Sequence, residues 1–341
     1  MDWKKWAPLA AGVVMLIALI VWAGAEGIWR ILQSVNPLYL SLAILMYVLG
    51  TVAWGLRWYV LMRSLGIDIS FKHTLVALLI GIFVNNMTPG ARGGGEPVRM
   101  YYVSKKAEHG YGPVFATVMG DRILDFIPIA VMMMLSMVYV YDMGQRALTV
   151  ILLLMNLGIF AGVAFGMAVM LNEVWMQKIL IWLFKAVSRI LPSRMKKYEE
   201  RFLRGVEEQV PQFSEGMKLL LKDKKTFALA LFFSFVSWMF VILRVYFIFL
   251  SMGMTISTVA VMVVQMVGTA VGLISVIPGG AGLTAATMSA AYMLFGIHKS
   301  LAVTASIVDR LISFWIPTFI GSGLTFRFSV NTGKKSKRVD E

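Results

Sequence analysis

The chain has 341 residues, of which 59% are hydrophobic and only 15% are charged, and its mean hydropathy is +0.76. A soluble domain is about half apolar and about a quarter charged, so the composition excludes a soluble globular protein and predicts an all-α polytopic membrane protein. The net charge of +14 then indicates basic loops facing an anionic cytoplasmic leaflet rather than a nucleic-acid partner, and the absence of cysteine excludes disulfides and thiolate metal sites.

Apolar runs of about twenty residues, long enough to span the hydrocarbon core, predict six transmembrane helices. The first covers residues 7–25 and is followed by a loop to residue 36; it is longer than a signal-peptide core and is expected to be retained. The other five are residues 37–62, 113–141, 148–171, 227–250 and 302–326. Two further apolar segments, 75–87 and 259–277, each run into a Pro-Gly break, and the first is too short to cross comfortably.

Residues 172–225 are more polar than the rest of the chain. Lys178, Lys185 and Arg189 share one helical face, and Trp175 and Trp182 are suited to anchor a helix at the membrane surface. This pattern predicts a basic amphipathic helix in the interface, followed by a charged, solvated helix. Residues 328–341 form a basic tail.

The chain contains an internal duplication. The segment RWYVLMRSLGIDIS at 57–70 matches RVYFIFLSMGMTIS at 244–257, with an offset of 187. Pro-Gly recurs from 89–90 to 278–279, and Asp-Arg recurs from 121–122 to 309–310, at offsets of 189 and 188. These matches occur in the same order and predict repeat one over residues 37–140 and repeat two over 225–327, joined by the helix at 141–171.

The distribution of cations among the loops predicts the orientation. Cytoplasmic loops are rich in Lys and Arg, which puts both termini, the turn at 63–72 and the segment 172–225 in the cytoplasm. The turns near residues 146 and 252–258 are then outside, so the two repeats are inverted. Span parity requires residues 74–106 and 259–297 to enter and leave on one side, as re-entrant hairpins. Inverted repeats with broken helices are typical of secondary transporters, and we expect a multi-pass protein of the plasma membrane.

Glycine and proline supply the predicted breaks of the hairpins, because irregular backbone at membrane depth must line a cavity or be buried in protein. The breaks are assigned to Pro89, Gly90, Gly93, Gly94, Gly95, Pro278, Gly279 and Gly280.

Charged residues within or beside the apolar segments are the candidate site, because a charge at the bilayer centre costs about 2.5–3.5 kcal/mol and usually faces a cavity or a partner. The candidates for substrate binding are Arg57, Arg92, Glu96, Arg99, Asp121, Arg122, Asp125, Arg244, Asp309 and Arg310. The alternative is that these residues form structural ion pairs that tie the hairpins to the spans. Asp121 and Arg122 point to different faces of their helix, so each requires a partner on another segment. We expect the hairpin to supply these partners.

Arg92 and Arg99 adjoin glycines that expose backbone N–H groups, which favours an anion site there. Glu96 would balance that charge or attract an amine. Gly158, Gly162 and Gly166 form a ridge that indicates close packing between helices of the same chain. The three histidines are scattered, and no metal site, cofactor or catalytic residue is predicted.

Four motifs, TPGARGGGEPVRMYYVSKK, GDRILDF, IPGGAGLTAA and DRLISF, resemble those of the lysylphosphatidylglycerol synthase transmembrane family. The resemblance covers nearly the whole chain. It implies a lipid flippase or transporter, because the corresponding region of the two-domain members is associated with moving aminoacylated phospholipid between leaflets. Synthase activity is not implied, since it belongs to a separate soluble domain of several hundred residues.

Three functions remain open at this point. The first is a flippase whose partners are membrane lipids with anionic headgroups: phospholipids, aminoacyl-phospholipids or polyprenyl-phosphate-linked lipids. The second is a transporter of a small soluble anion or amino acid, and the third is a membrane-embedded lipid-phosphate transferase. A homodimer is compatible with all three.

Overall fold

The computed structural model describes residues 7–88, 93–190, 198–274 and 282–337. All secondary structure in these ranges is helical. The chain is an all-α polytopic membrane protein.

Five helices of the described part are long and apolar enough to cross a membrane: α3 (Pro37–Ser64), α6 (Tyr111–Asp142), α7 (Arg146–Leu171), α10 (Lys224–Ser251) and the combined element Lys299–Phe328. They coincide with five of the six predicted spans. The sixth, α1 (Ala7–Ala23), is followed by α2 (Ala25–Gln33), and the two helices meet at an angle of 85°. Residues that the sequence analysis assigned to a loop are therefore a helix.

Four shorter helices lie in two pairs. α4 (Phe71–Met87) packs against α5 (Gly95–Ala107), and α11 (Thr258–Ile274) packs against α12 (Leu283–Leu294). Both α4 and α11 have 17 residues, which at 1.5 Å per residue makes them about 26 Å long, somewhat less than a hydrocarbon core. The Pro-Gly breaks at 89–90 and 278–280 lie outside the described residues.

The first helices of the two predicted repeats end in the same way. α3 and α10, each of 28 residues, pack along one another. Each ends in a left-handed glycine, Gly66 with φ +72° and Gly253 with φ +75°. In both, the following residue donates its backbone N–H to a carbonyl in the last helical turn: Ile67 to Met62, at 3.0 Å, and Met254 to Phe249, at 3.1 Å. Glycine has no Cβ and therefore adopts a positive φ without a steric clash, which is why the matched glycines end both helices at the same point.

The last span is not a continuous α-helix. α13 (Lys299–Arg310) leads into a π-helical turn at Leu311–Trp315 before α14 (Ile316–Lys337). Asn86 of α4 donates to Thr318 Oγ1 at 2.8 Å, just after that turn. π-helical turns are frequent at functional sites, and this one directly follows the candidate residue Arg310.

The polar segment forms α8 (Glu173–Ile190) and α9 (Glu199–Lys222). The sequence predicted that the second helix is solvated, but α9 buries one face against α6. Phe213 and Met217 lie in this contact, and Gln209 Oε1 accepts from the backbone N–H of Gly112 at 2.8 Å. α9 therefore braces the beginning of the span that carries Asp121 and Arg122.

Candidate functional site

A polar cavity of about 260 Å³ lies between the two repeats. Its walls come from α3, α4 and α6 of repeat one and from α10, α11, α12, α13 and the π-helical turn of repeat two. The charged residues that line it are Arg122, Asp125, Arg244, Asp309 and Arg310. Five of the ten predicted site residues thus meet at one cavity, although the two halves of the set are separated by more than a hundred residues in sequence.

Asp121 is the centre of the ion-pair network in repeat one. Its carboxylate is fully buried and accepts from Arg57 Nε at 2.6 Å, from Arg99 Nη2 at 2.8 Å and from Trp54 Nε1 at 3.0 Å. Arg57 and Trp54 belong to α3 and Arg99 belongs to α5, so one carboxylate joins three helices. Several charge-assisted hydrogen bonds to one buried carboxylate offset the cost of burying it.

Arg57 makes two further hydrogen bonds through Nη1, one to α6 and one to α10. Its Nη1 donates to Asp125 Oδ1 at 2.8 Å and to Ser234 Oγ of α10 at 3.1 Å. Trp238 Nε1 also donates to Asp125 Oδ1, at 3.1 Å. Arg57 is 1% exposed, so its guanidinium is a structural tie between the repeats and does not line the cavity.

Arg99 lies apart from the cavity. It is 1% exposed, it pairs with Asp121, and its guanidinium carbon lies 4.0 Å from the centre of the Trp58 ring. A cation over an aromatic face gains further stabilisation when it is desolvated. This placement favours the alternative hypothesis, in which Arg99 forms a structural ion pair, over an anion site at Arg99.

Glu96 and Arg122 form a second ion pair between α5 and α6. Arg122 donates through both Nε and Nη2 to Glu96 Oε1, while Glu96 Oε2 is buried without a hydrogen-bond partner in the described part of the chain. Asp125 is only three residues from Arg122 on α6, but the hydrogen bonds of Arg122 go to Glu96. Asp121 and Arg122, adjacent in sequence, thus both pair with α5 but with different residues, Arg99 and Glu96.

Repeat two has a smaller network. Arg244 Nε donates to Asp309 Oδ1 at 2.8 Å, which matches the bond from Arg57 to Asp121 in repeat one. Arg310 lines the cavity, and its guanidinium carbon lies 4.6 Å from the centre of the Phe314 ring.

The remaining predicted positions divide into two groups. Arg92, Pro89, Gly90, Pro278, Gly279 and Gly280 lie outside the described residues. Gly93 lines a separate cavity of about 370 Å³ beside Glu96, Gly94 caps α5, and Gly95 donates its backbone N–H to Asn85 Oδ1 at 2.7 Å. A side chain at Gly95 would overlap the carbonyl oxygen of Gly81, so glycine permits the close approach of α4 and α5. Within the described ranges, no three His, Asp or Glu side chains are close enough together to bind a metal ion.

The sequence analysis did not identify the uncharged polar residues of the cavity. Asn85, Asn86, Gln265, Thr284 and Ser313 all line it. Single uncharged polar residues are common in membrane helices, and no periodic pattern distinguishes these five. The signal that was available is their position on the two pairs of short helices and next to the repeated Asp-Arg motif.

The glycine ridge of α7 differs from its prediction. Added Cβ atoms at Gly158, Gly162 and Gly166 would meet no atom of the described chain within 4 Å, so the ridge does not pack closely against another helix. Instead it forms one wall of an apolar groove of about 530 Å³, and α6 forms the other wall. Arg122 lies at one side of this groove and also lines the polar cavity.

Comparison with known proteins gives a consistent result. The sequence profile described as "Lysylphosphatidylglycerol synthase TM region" matches residues 9–321. The chain is 36% identical over 325 residues to a UPF0104 membrane protein of Pyrococcus horikoshii, covering 95% of this chain and 97% of the relative. It is 32% identical over 332 residues to a UPF0104 membrane protein of Methanothermobacter thermautotrophicus, covering 96% of each. It is 29% identical over 315 residues to one of Methanocaldococcus jannaschii, covering 92% of this chain and 91% of the relative. The chain therefore belongs to the lysylphosphatidylglycerol synthase transmembrane-region family.

Proposed function

We propose that the protein moves a lipid with an anionic headgroup between the two leaflets of the membrane. The headgroup passes through the polar cavity between the repeats, and a hydrocarbon tail follows the apolar groove along α7. The observation that carries this proposal is the position of Arg122, which lines both the polar cavity and the apolar groove.

An amphiphile explains both spaces at once. A headgroup needs polar partners, which the cavity supplies through Arg122, Arg244 and Arg310. A tail gains about 0.8 kcal/mol for each methylene that it buries. Apart from Arg122, the groove is lined by methionine, isoleucine, valine, phenylalanine, alanine and glycine. A small soluble anion would use the cavity but has no use for the groove, so the lipid function is favoured over the second hypothesis.

The loop charges give the proposed sidedness. Both termini and the α8–α9 segment are cytoplasmic, the two pairs of short helices are re-entrant hairpins, and the repeats are inverted in the plasma membrane. The hairpin of repeat one then enters from the cytoplasmic side and that of repeat two from the outside. The buried pairs from Arg57 and Arg99 to Asp121 and from Arg244 to Asp309 hold the helices around the path in this scheme.

The first test is lipid movement in reconstituted vesicles. Purified protein in phosphatidylcholine vesicles that contain fluorescent phosphatidylglycerol is expected to expose the inner-leaflet probe to a quencher added outside. Gly162→Leu fills part of the groove without meeting a neighbour and should exclude about two methylenes of a tail. The expected result is roughly tenfold slower movement. Gly323→Leu, at an exposed position of α14 that is also free of close neighbours, is the matched control and should leave the rate unchanged.

The second test addresses the headgroup. Replacing Arg122 alone would leave the buried Glu96 carboxylate without its ion-pair partner, which would destabilise the protein. The double variant Arg122→Gln with Glu96→Gln removes both charges together, so it should fold and still lose movement of phosphatidylglycerol. Unchanged movement in this variant and in Gly162→Leu would exclude the proposed path. Vesicle uptake of a soluble anion without any lipid movement would instead support the second hypothesis.

A further inference from the structure

The two halves of the cavity differ in charge although they derive from one duplication. Among the described residues that line the cavity, the charged residues of repeat one are Arg122 and Asp125. Repeat two contributes Arg244 and Arg310 against Asp309 alone. The repeat-one part of this lining is balanced, whereas the repeat-two part carries one excess positive charge.

Two carboxylates of repeat one are replaced by hydroxyl groups in repeat two. At the offset of 188 that relates Asp121 to Asp309, Glu96 corresponds to Thr284 and Asp125 corresponds to Ser313. A hydroxyl group therefore stands where repeat one has each of these carboxylates. Arg57 donates to Asp121, Asp125 and Ser234, whereas the matching Arg244 donates, among the described residues, from its Nε to Asp309.

Two buried donors in the same half have no hydrogen-bond partner among the described residues. Thr284 is 3% exposed and Gln265 is 7% exposed. Both line the cavity, yet Thr284 Oγ1 and Gln265 Nε2 make no hydrogen bond with the described chain. The Gln265 amide lies beside the buried Tyr292 hydroxyl. A buried donor left unpaired is costly, so such groups usually have a partner that is not part of the chain itself.

We infer that the repeat-two half of the cavity is an oxyanion subsite, formed by Arg244, Arg310, Thr284 and Gln265, for a phosphate-type group. Guanidinium, hydroxyl and amide N–H groups are donors that suit phosphate oxygens, and the excess positive charge of this half favours an anion. This inference rests on the proposed function for the source of the anion, a lipid headgroup, and it relocates the anion site from Arg92 and Arg99 to the opposite repeat.

Binding to the detergent-solubilised full chain tests the subsite without requiring transport. The probes are inorganic phosphate and dihexanoyl phosphatidylglycerol, with dihexanoylglycerol as the uncharged comparison, and the readout is calorimetric titration. The two charged probes distinguish the sources: binding of the lipid probe alone assigns the subsite to a headgroup, and binding of both assigns it to the phosphate group itself. Failure of both charged probes to bind, or equal binding of the uncharged probe, overturns the inference.

Thr284→Val is the decisive variant, because it preserves the shape of the side chain and removes a hydroxyl group that makes no hydrogen bond with the described chain. It should leave the thermal midpoint equal or higher and weaken binding of the charged probes roughly tenfold. Gln265→Leu should act in the same direction. The matched control is Thr304→Val, a buried threonine whose hydroxyl bonds to the Ser300 carbonyl at 2.6 Å away from the cavity; its affinity should stay within about twofold of wild type.

The result separates this inference from the proposed function. Normal probe affinity in both Thr284→Val and Gln265→Leu refutes the subsite, whatever the vesicle assay shows. Lost affinity in these variants together with no lipid movement by the wild-type protein keeps the subsite and refutes the flippase.

Discussion

Replacing Asp121 by asparagine should be one of the most destabilising single changes in the core of repeat one. The carboxylate is fully buried and receives hydrogen bonds from Arg57, Arg99 and Trp54. The amide has the same size but no charge, and one of its two ends is a donor that would face other donors. Arg57 keeps Asp125 as a partner, whereas Arg99 loses its only ion-pair contact among the described residues.

The expected magnitude follows from the number of charges left unpaired. Removing one member of a buried ion pair costs about 3–5 kcal/mol, and here one carboxylate serves two buried guanidinium groups. We therefore expect a loss near 4–5 kcal/mol in the free energy of unfolding. Asp309→Asn is the internal comparison: among the ion pairs of the described residues, Asp309 takes part in one, with Arg244, and both side chains line the polar cavity. Its cost should be smaller, about 3 kcal/mol or less.

The measurement is equilibrium unfolding in mixed micelles, followed by circular dichroism and by tryptophan fluorescence. A rescue variant makes the interpretation specific. Arg99→Leu in the Asp121→Asn background removes the uncompensated cation, so the double variant should be more stable than Asp121→Asn alone. A double-mutant cycle then gives the coupling between the two side chains. A cost below about 1 kcal/mol for Asp121→Asn, or strictly additive effects in the cycle, would refute the reasoning.

Two further predictions concern packing around the site. Gly321→Ala should lower the thermal midpoint, because the added Cβ would overlap the carbonyl oxygen of Leu79 where α14 meets α4, whereas Gly162→Ala, with open space around it, should be neutral or stabilising; a comparison of melting temperatures tests the pair. Asn86→Leu removes the hydrogen bond to Thr318 beside the π-helical turn and should cost about 1–3 kcal/mol and raise hydrogen exchange in that turn, and unchanged exchange there would contradict the assigned role of this bond.

The sequence by itself determined the class of protein and the positions of its membrane helices. Hydrophobic length is a local property, so the five long spans could be located from composition alone, and the matched Asp-Arg motifs at 121 and 309 identified the duplication. The helical angle of about 100° between neighbours also placed Asp121 and Arg122 on different faces, which is how they find Arg99 and Glu96 as separate partners.

The tertiary structure decided how the charges are used. Arg57 and Asp121 are 64 residues apart and Arg57 and Ser234 are 177 apart, and no local pattern indicates such pairs. The sequence favoured Arg92 and Arg99 as anion ligands because glycines adjoin them. In the structure Arg99 is buried against Trp58 and pairs with Asp121, so its guanidinium is part of the protein core. Conversely, Thr284 and Gln265 are unremarkable in sequence and matter only because the fold leaves their donors unpaired in a cavity. Charge can be counted along a chain, but whether a charge is already neutralised depends on neighbours that only the folded structure brings together.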